Sequence, residues 1–234
     1  MGLRHRREGE RSVLHPLLHK VSHRVMPSSV DEHRQLRHAQ APFREAGLVF
    51  IHIPRTAGVS ITQAVYGRTV WCHFTLPQLL KSADDDVLRL PRFTIIRNTW
   101  DRAVSAYHFA KSGGVLGGAQ IRRADRYRGR DFETFDSFVR GYLAVHDVWK
   151  LDGVFRPQTY YLGPPGRDKL GYIGDFDYMP ETEQWLTTTL GRLVRLAHSN
   201  ASEHADYRTY YTKETRNIVA EIYRDDIDRF GFQF

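Results

Sequence analysis

Leu48-Val49-Phe50-Ile51-His52-Ile53 is a short, nearly continuous apolar run, the pattern of a strand buried on both faces of a parallel sheet. Residues 54–58 break the run. Ser60-Ile61-Thr62-Gln63-Ala64-Val65-Tyr66 then reads as a helix that Gly67 stops. The same order returns downstream. Arg92-Phe93-Thr94-Ile95-Ile96 predicts a second buried strand, and Asn98 or Thr99 can cap the helix that follows. Trp100, Ala103, Val104 and Tyr107 fall at i, i+3, i+4 and i+7, the stripe of a core-facing helix. A strand, a tight loop and a helix, occurring twice, predict an α/β domain with a doubly wound parallel sheet flanked by helices.

Weaker patterns complete the outline. Residues 112–130 hold five glycines and five arginines with little apolar content, and are expected to form a flexible basic loop. Asp131 is placed to cap a helix carrying Phe132, Phe135, Val139 and Tyr142 on one face. Residues 170–173 read as a strand, and 181–190 as a helix closed by Gly191. A final amphipathic helix spans 213–229, with Val219, Ile222, Tyr223 and Phe230 on its apolar side. Residues 1–45 show no sustained apolar period and are rich in Arg, His, Glu and Ser, which predicts a mobile arm preceding a single domain over 46–234.

Composition narrows the chemistry. The chain has 34 Lys and Arg against 27 Asp and Glu, a formal net charge of +7, which suits an anionic ligand. A single cysteine, Cys72, excludes an intrachain disulfide and a zinc site built on cysteines. The apolar runs fall well short of the ~20 residues of a membrane span, and residues 12–21 are too polar for a signal segment. The expectation is a cytoplasmic protein with no membrane span.

The loop between the first strand and helix carries the strongest signal. Arg55-Thr56-Ala57-Gly58-Val59-Ser60 are small or hydrogen-bonding residues at a helix start, where unpaired backbone N–H groups and the positive end of the helix dipole attract an anion. Thr56 and Ser60 offer hydroxyl donors, and Arg55 offers a forked permanent cation. Gly58 is followed by Val59 rather than by Lys and a magnesium-holding hydroxyl, so this is not a Walker A loop. An ordinary βα turn is the alternative that the loop alone leaves open.

Phe50-Ile51-His52-Ile53-Pro54-Arg55-Thr56-Ala57-Gly58-Val59-Ser60-Ile61 resembles the 5′-phosphosulfate loop of sulfotransferases that use PAPS (3′-phosphoadenosine 5′-phosphosulfate). The closest likeness is to the carbohydrate branch containing the uronyl 2-O enzymes, whose loop reads Pro-Lys-Thr-Ala-Gly-Thr-Ser. Arg55 stands where that branch has Lys, and Val59 where it has Thr. Arg97-Asn98-Thr99-Trp100-Asp101-Arg102-Ala103-Val104-Ser105-Ala106-Tyr107 resembles the same family's 3′-phosphate motif. The resemblance implies a P-loop-like fold, PAPS as donor and PAP as product without a metal, and a hydroxyl acceptor, favouring a carbohydrate. It assigns 3′-phosphate contacts to Arg97 and Ser105. Asp101 and Arg102 are expected to be structural.

Sulfuryl transfer needs a base for the acceptor proton, and histidine titrates in the useful range. His52 lies in the first strand and reads as buried structure. Cys72-His73, just before a helix start at Thr75, aligns with the Gly-His pair that supplies the base in the resembled branch, so His73 is the expected base, with His108 and His146 as fallbacks. Arg55 joins it as a catalytic residue by the same likeness. Further likenesses are weaker. They comprise Arg156 and Gln158 as substrate-facing residues, the segments 173–177 and 198–200, and the closing stretch 226–232. Two other readings compete: a nucleotide-dependent kinase-like transferase, and a non-catalytic polyanion- or nucleotide-binding protein. Nucleic acid is not an expected partner, because the basic charge does not form a regular aromatic–basic platform.

Overall fold

The computed structural model describes residues 30–70, 72–114, 124–166, 169–197 and 205–234. Over these residues the chain is a mixed α/β structure built on a parallel three-stranded sheet. Helix α1 (Val30–Ala46) precedes strand β1 (Val49–Ile51). Helices α2 (Gly58–Tyr66), α3 (Leu76–Ser82) and α4 (Asp85–Leu88) lead to β2 (Arg92–Ile96). Helix α5 (Thr99–Lys111), a short α6 (Phe135–Ser137) continued by a π-type turn over Phe138–Leu143, and α7 (Gln158–Leu162) lead to β3 (Tyr172–Asp175). Helices α8 (Met179–Leu190), α9 (Lys213–Ile222) and α10 (Arg224–Phe230) follow.

The sheet order is β1-β2-β3, with Phe50 opposite Phe93 and Ile95 opposite Gly174. All of β1 is buried and β2 exposes only part of Arg92, as the two apolar runs require. Phe50 stacks on Phe93 at 4.8 Å between ring centroids, and Phe93 meets Trp185 of α8 at 5.4 Å. The free side of β1 is closed by one side chain. Tyr66 Oη accepts from the N–H of Phe50 at 3.0 Å and donates to the carbonyl of Leu48 at 3.1 Å, so α2 satisfies backbone groups that an unpaired sheet edge leaves open.

Two local signals hold closely. Asn98 caps α5, its Oδ1 accepting from Trp100 N at 3.1 Å, and Gly67 ends α2 in the left-handed region at φ 68°. Other expectations change. Residues 30–45, expected within a mobile arm, form most of α1, with Leu36, Ala39 and Phe43 buried in the core; residues 1–29 lie outside the described residues. Part of the basic 112–130 segment, 115–123, also lies outside them, but Tyr127 and Phe132 just beyond are buried among Phe138, Tyr142 and Phe155. Asp131 does not cap the next helix. Thr134 does, through a capping box with Ser137, and Asp131 instead lies in a 3-10 turn against Gly141. The third strand falls at 172–175 rather than 170–173.

The expected last helix is two helices broken at Tyr223. Tyr223 Oη donates to the carbonyl of Phe155 at 2.7 Å, and the bend carries Asp226 into the interior beside α7.

Candidate functional site

β1 and β2 run parallel, so the chain leaves both at the same end of the sheet, the end where open α/β sheets bind ligands. The loop after β1 is held there by side chains, one of its own and two from the second motif. Three consecutive carbonyls each accept from a side chain: Ile53 from Thr56 Oγ1 at 2.8 Å, Pro54 from Arg102 Nε at 3.0 Å, and Arg55 from Arg97 Nη1 at 3.1 Å. With those carbonyls engaged, Arg55 and Ala57 sit at φ 72° and 62°, left-handed conformations that a non-glycine residue keeps only under such constraint. Ala57 is the N-cap of α2 and makes no side-chain capping bond to the first turn of this nine-residue helix. Gly58 cannot be larger, because a Cβ there would overlap the imidazole of His52.

The two motifs meet directly. Besides the bond from Arg97 to the carbonyl of Arg55, Arg55 Nε donates to Ser105 Oγ at 3.0 Å across 50 positions of sequence. Each guanidinium is backed by a ring, Arg55 by Phe109 at 4.7 Å and Arg97 by Phe176 at 4.2 Å. Arg97 Nε is ion-paired to Asp101 at 2.6 Å, one helical turn on. Arg55 has no carboxylate within ion-pairing distance among the described residues. Burial, with Arg97 and then Arg102 nearby, lowers its pKa to about 10. A protonated guanidinium held in that setting favours an incoming anion.

His52 links the loop to the candidate base. Its ring stacks on Phe50, lies against Gly58 and approaches His73 at 4.5 Å between centroids. His52 is buried and its Nδ1 has no hydrogen-bond partner among the described residues. Burial first, then His73 and Arg55, pushes its pKa well below the usual histidine range. His73 keeps part of its surface exposed, and burial of its ring lowers its pKa to about 4, so it is neutral near pH 7 and able to accept a proton. Its backbone N–H donates to Gln35 Oε1 of α1 at 3.1 Å, so the helix that the sequence did not reveal positions this residue.

Some expected roles change in detail. Thr56 is fully buried and its hydroxyl hydrogen is engaged by Ile53, which leaves its backbone rather than its side chain for a ligand. Ser105 is also fully buried, with its hydroxyl on Arg55 rather than turned to open space. Gln158 is no substrate-facing residue. It is fully buried, its Oε1 accepting from Arg97 N and its Nε2 donating to Arg97 O, both at 2.9 Å. Arg156 donates to the carbonyl of Leu151 at 2.8 Å and to Tyr160 Oη at 2.6 Å, which fixes it on its own turn. Ser60 is buried in α2, and Val59 is partly exposed beside it. His146 sits exposed over the Tyr142 carbonyl, and His108 packs against Tyr107 and Tyr210. Segment 198–200 lies outside the described residues.

Comparison with protein-family models, with curated proteins and with solved structures gave no match. The site therefore rests on its own residues.

The sequence reading did not place Arg102, His52 or Asp226 at the site. Asp226 is fully buried and its carboxylate accepts from the N–H groups of Gln158 and Thr159 at 2.7 and 2.8 Å, fixing the residue that holds Arg97. Burial raises its pKa, against the opposing pull of Arg102. One signal was available: Asp226 occurs on the same helical stripe as Val219, Tyr223 and Phe230, where a carboxylate needs buried donors. Among the described residues there is no cluster of three metal-ligating side chains, and no helix is long and apolar enough to cross a membrane.

Proposed function

We propose that this chain is a PAPS-dependent sulfotransferase with a P-loop-like, doubly wound domain, acting on an acceptor hydroxyl of carbohydrate type. The observation that carries the reading is the contact between its two anion motifs through Arg97, Arg55 and Ser105. A nucleotide with anionic groups at both its 3′ and 5′ positions is the ligand class for which two such motifs have to be adjacent. The residues fit such a donor: at Arg55 a cation without a carboxylate among the described residues, a second cation at Arg97, and a helix start at α2 whose N-cap, Ala57, offers no side-chain cap.

PAPS supplies an activated sulfuryl group whose transfer leaves a phosphate. On the protein's side, the α2 amides and the loop from Arg55 to Ser60 hold that anionic end and disperse the charge that develops on it. Arg97 and Ser105 orient the other end and so align the transfer. His73, neutral near pH 7, removes the acceptor proton during attack. His52 and Gln35 hold the ring and the backbone of that residue in place.

A thermal-shift series with PAP, ATP and NADPH tests the donor class. PAP at 100 times its dissociation constant adds about 2.7 kcal/mol of stability. Metal-free transfer of labelled sulfuryl from PAPS to a panel of glycans tests the reaction. Stabilisation by ATP without stabilisation by PAP rejects the proposal in favour of a kinase-like transferase.

A further inference from the structure

Arg55 occupies the loop position that faces the transferring group in the resembled family, but its side chain here is directed elsewhere. The left-handed backbone at φ 72° sends the guanidinium onto α5, where Nε donates to Ser105 Oγ at 3.0 Å and the plane lies over Phe109. The same loop runs directly into the first turn of α2, through Ala57 as its N-cap. One residue therefore contributes backbone to one anion site and side chain to another.

Charge balance points the same way. Three guanidinium groups, of Arg55, Arg97 and Arg102, crowd this end of the sheet. Asp101 answers Arg97 directly, and Asp226 lies near enough to Arg102 to interact with it electrostatically. Among the described residues the cation left without a carboxylate is Arg55, which donates to Ser105 and lies over Phe109. Ser105 is fully buried and holds Nε of Arg55, so an anion that neutralises the cluster meets the outer nitrogens of that guanidinium, Nη1 and Nη2.

We propose that the Arg55 side chain is a specificity determinant for the donor's 3′-phosphate, acting together with Ser105 and Arg97, rather than a group at the transfer centre. The inference rests on the donor reading given above. It separates a nucleotide phosphorylated at both 3′ and 5′ positions from one phosphorylated at 5′ alone, and it explains why a forked cation suits this loop position. A lysine has a compact ammonium that cannot serve Ser105 and a phosphate with a planar set of donors.

Calorimetric titration of PAP and of adenosine 5′-monophosphate into the wild type, Arg55→Met, Arg55→Lys and Ser105→Ala tests it. Arg55→Met is expected to lose about 10- to 100-fold in affinity for PAP while its affinity for the 5′-monophosphate stays unchanged. Arg55→Lys shows the same selective loss at smaller amplitude, and carries the comparison if the methionine variant does not fold. Ser105→Ala, which frees the guanidinium that Ser105 holds, lowers the affinity for PAP to a smaller extent and leaves that for the 5′-monophosphate unchanged. In turnover, Arg55→Lys raises the KM for PAPS and leaves kcat near that of the wild type. Equal proportional losses for the two nucleotides, or a fall in kcat with KM unchanged, overturn the inference and return Arg55 to the transfer centre while the donor reading stands. A wild-type protein that binds neither nucleotide removes the donor reading, and this inference with it.

Discussion

Gln158 pairs with the backbone of Arg97 in both directions, its Oε1 accepting from the N–H and its Nε2 donating to the carbonyl, each at 2.9 Å. The pair replaces strand hydrogen bonding at the point where the chain leaves β2. Gln158→Ala leaves two buried backbone groups of Arg97 unsatisfied, and is expected to destabilise the fold by about 2–4 kcal/mol. Gln158→Glu keeps the acceptor and loses the donor, so it is also destabilising. Urea unfolding monitored by circular dichroism measures both; a Gln158→Ala variant as stable as the wild type contradicts the pairing.

Gly58 and His52 share one space. Gly58→Ala drives a methyl group into the His52 ring and is expected to cost about 1–3 kcal/mol, the range for overpacked sites. His52→Ala alone also destabilises. The double variant recovers part of the loss, so the two effects are strongly non-additive. A double-mutant cycle by thermal unfolding provides the check, and simple additivity argues against the contact.

The histidine pair predicts acid sensitivity. His73 titrates near 4 and His52 well below its ordinary range in the folded protein, whereas in the unfolded chain both take up protons near 6.5. A depressed folded pKa means that the unfolded state binds more protons between those values. Stability is therefore full above about 6.5 and declines as the pH falls toward 4. His73→Gln and His52→Phe each reduce that slope, by up to about 1.4 kcal/mol per pH unit. Unfolding free energies measured between pH 4 and 7.5 test the sign; a slope unchanged in both variants is the opposing result.

If His73 is the base, its loss costs about 100- to 10,000-fold in rate. The acid limb of the wild-type kcat/KM profile then falls near pH 4, well below the usual histidine value. His73→Ala with near-normal turnover excludes it from that role.

Tyr66→Phe removes the hydroxyl that serves Phe50 N and Leu48 O. The expected loss is about 1–3 kcal/mol, with faster hydrogen exchange at the Phe50 amide. Unaltered exchange at that amide speaks against edge closure by Tyr66.

The strands and the helices beside the site were legible because their signals were local. β2 coincides with its apolar run, and the Asn98 cap and the Gly67 stop act within a few residues. α1 was not legible, because Leu36, Ala39 and Phe43 are set among arginines, histidines and a proline at position 42, which hide a narrow stripe. The break at Tyr223 depends on partners in α7 and the turn before it, at distances of 67 and 68 residues along the chain. At the site, residue types at 55, 97 and 105 were readable, but the direction of Arg55 was not. That direction accompanies a positive φ at a residue whose carbonyl Arg97 holds and whose guanidinium Ser105 accepts, and no local pattern encodes those distant partners.

The grip of Arg97 and Arg102 on the carbonyls of Arg55 and Pro54 has an engineering consequence. The loop's shape is not stored in its own seven residues but lent to it by the start of α5. Transplanting residues 54–60 alone into another α/β scaffold therefore carries over the letters without the conformation. A functional graft needs the 97–105 helix start as well, set at the same height on the neighbouring strand.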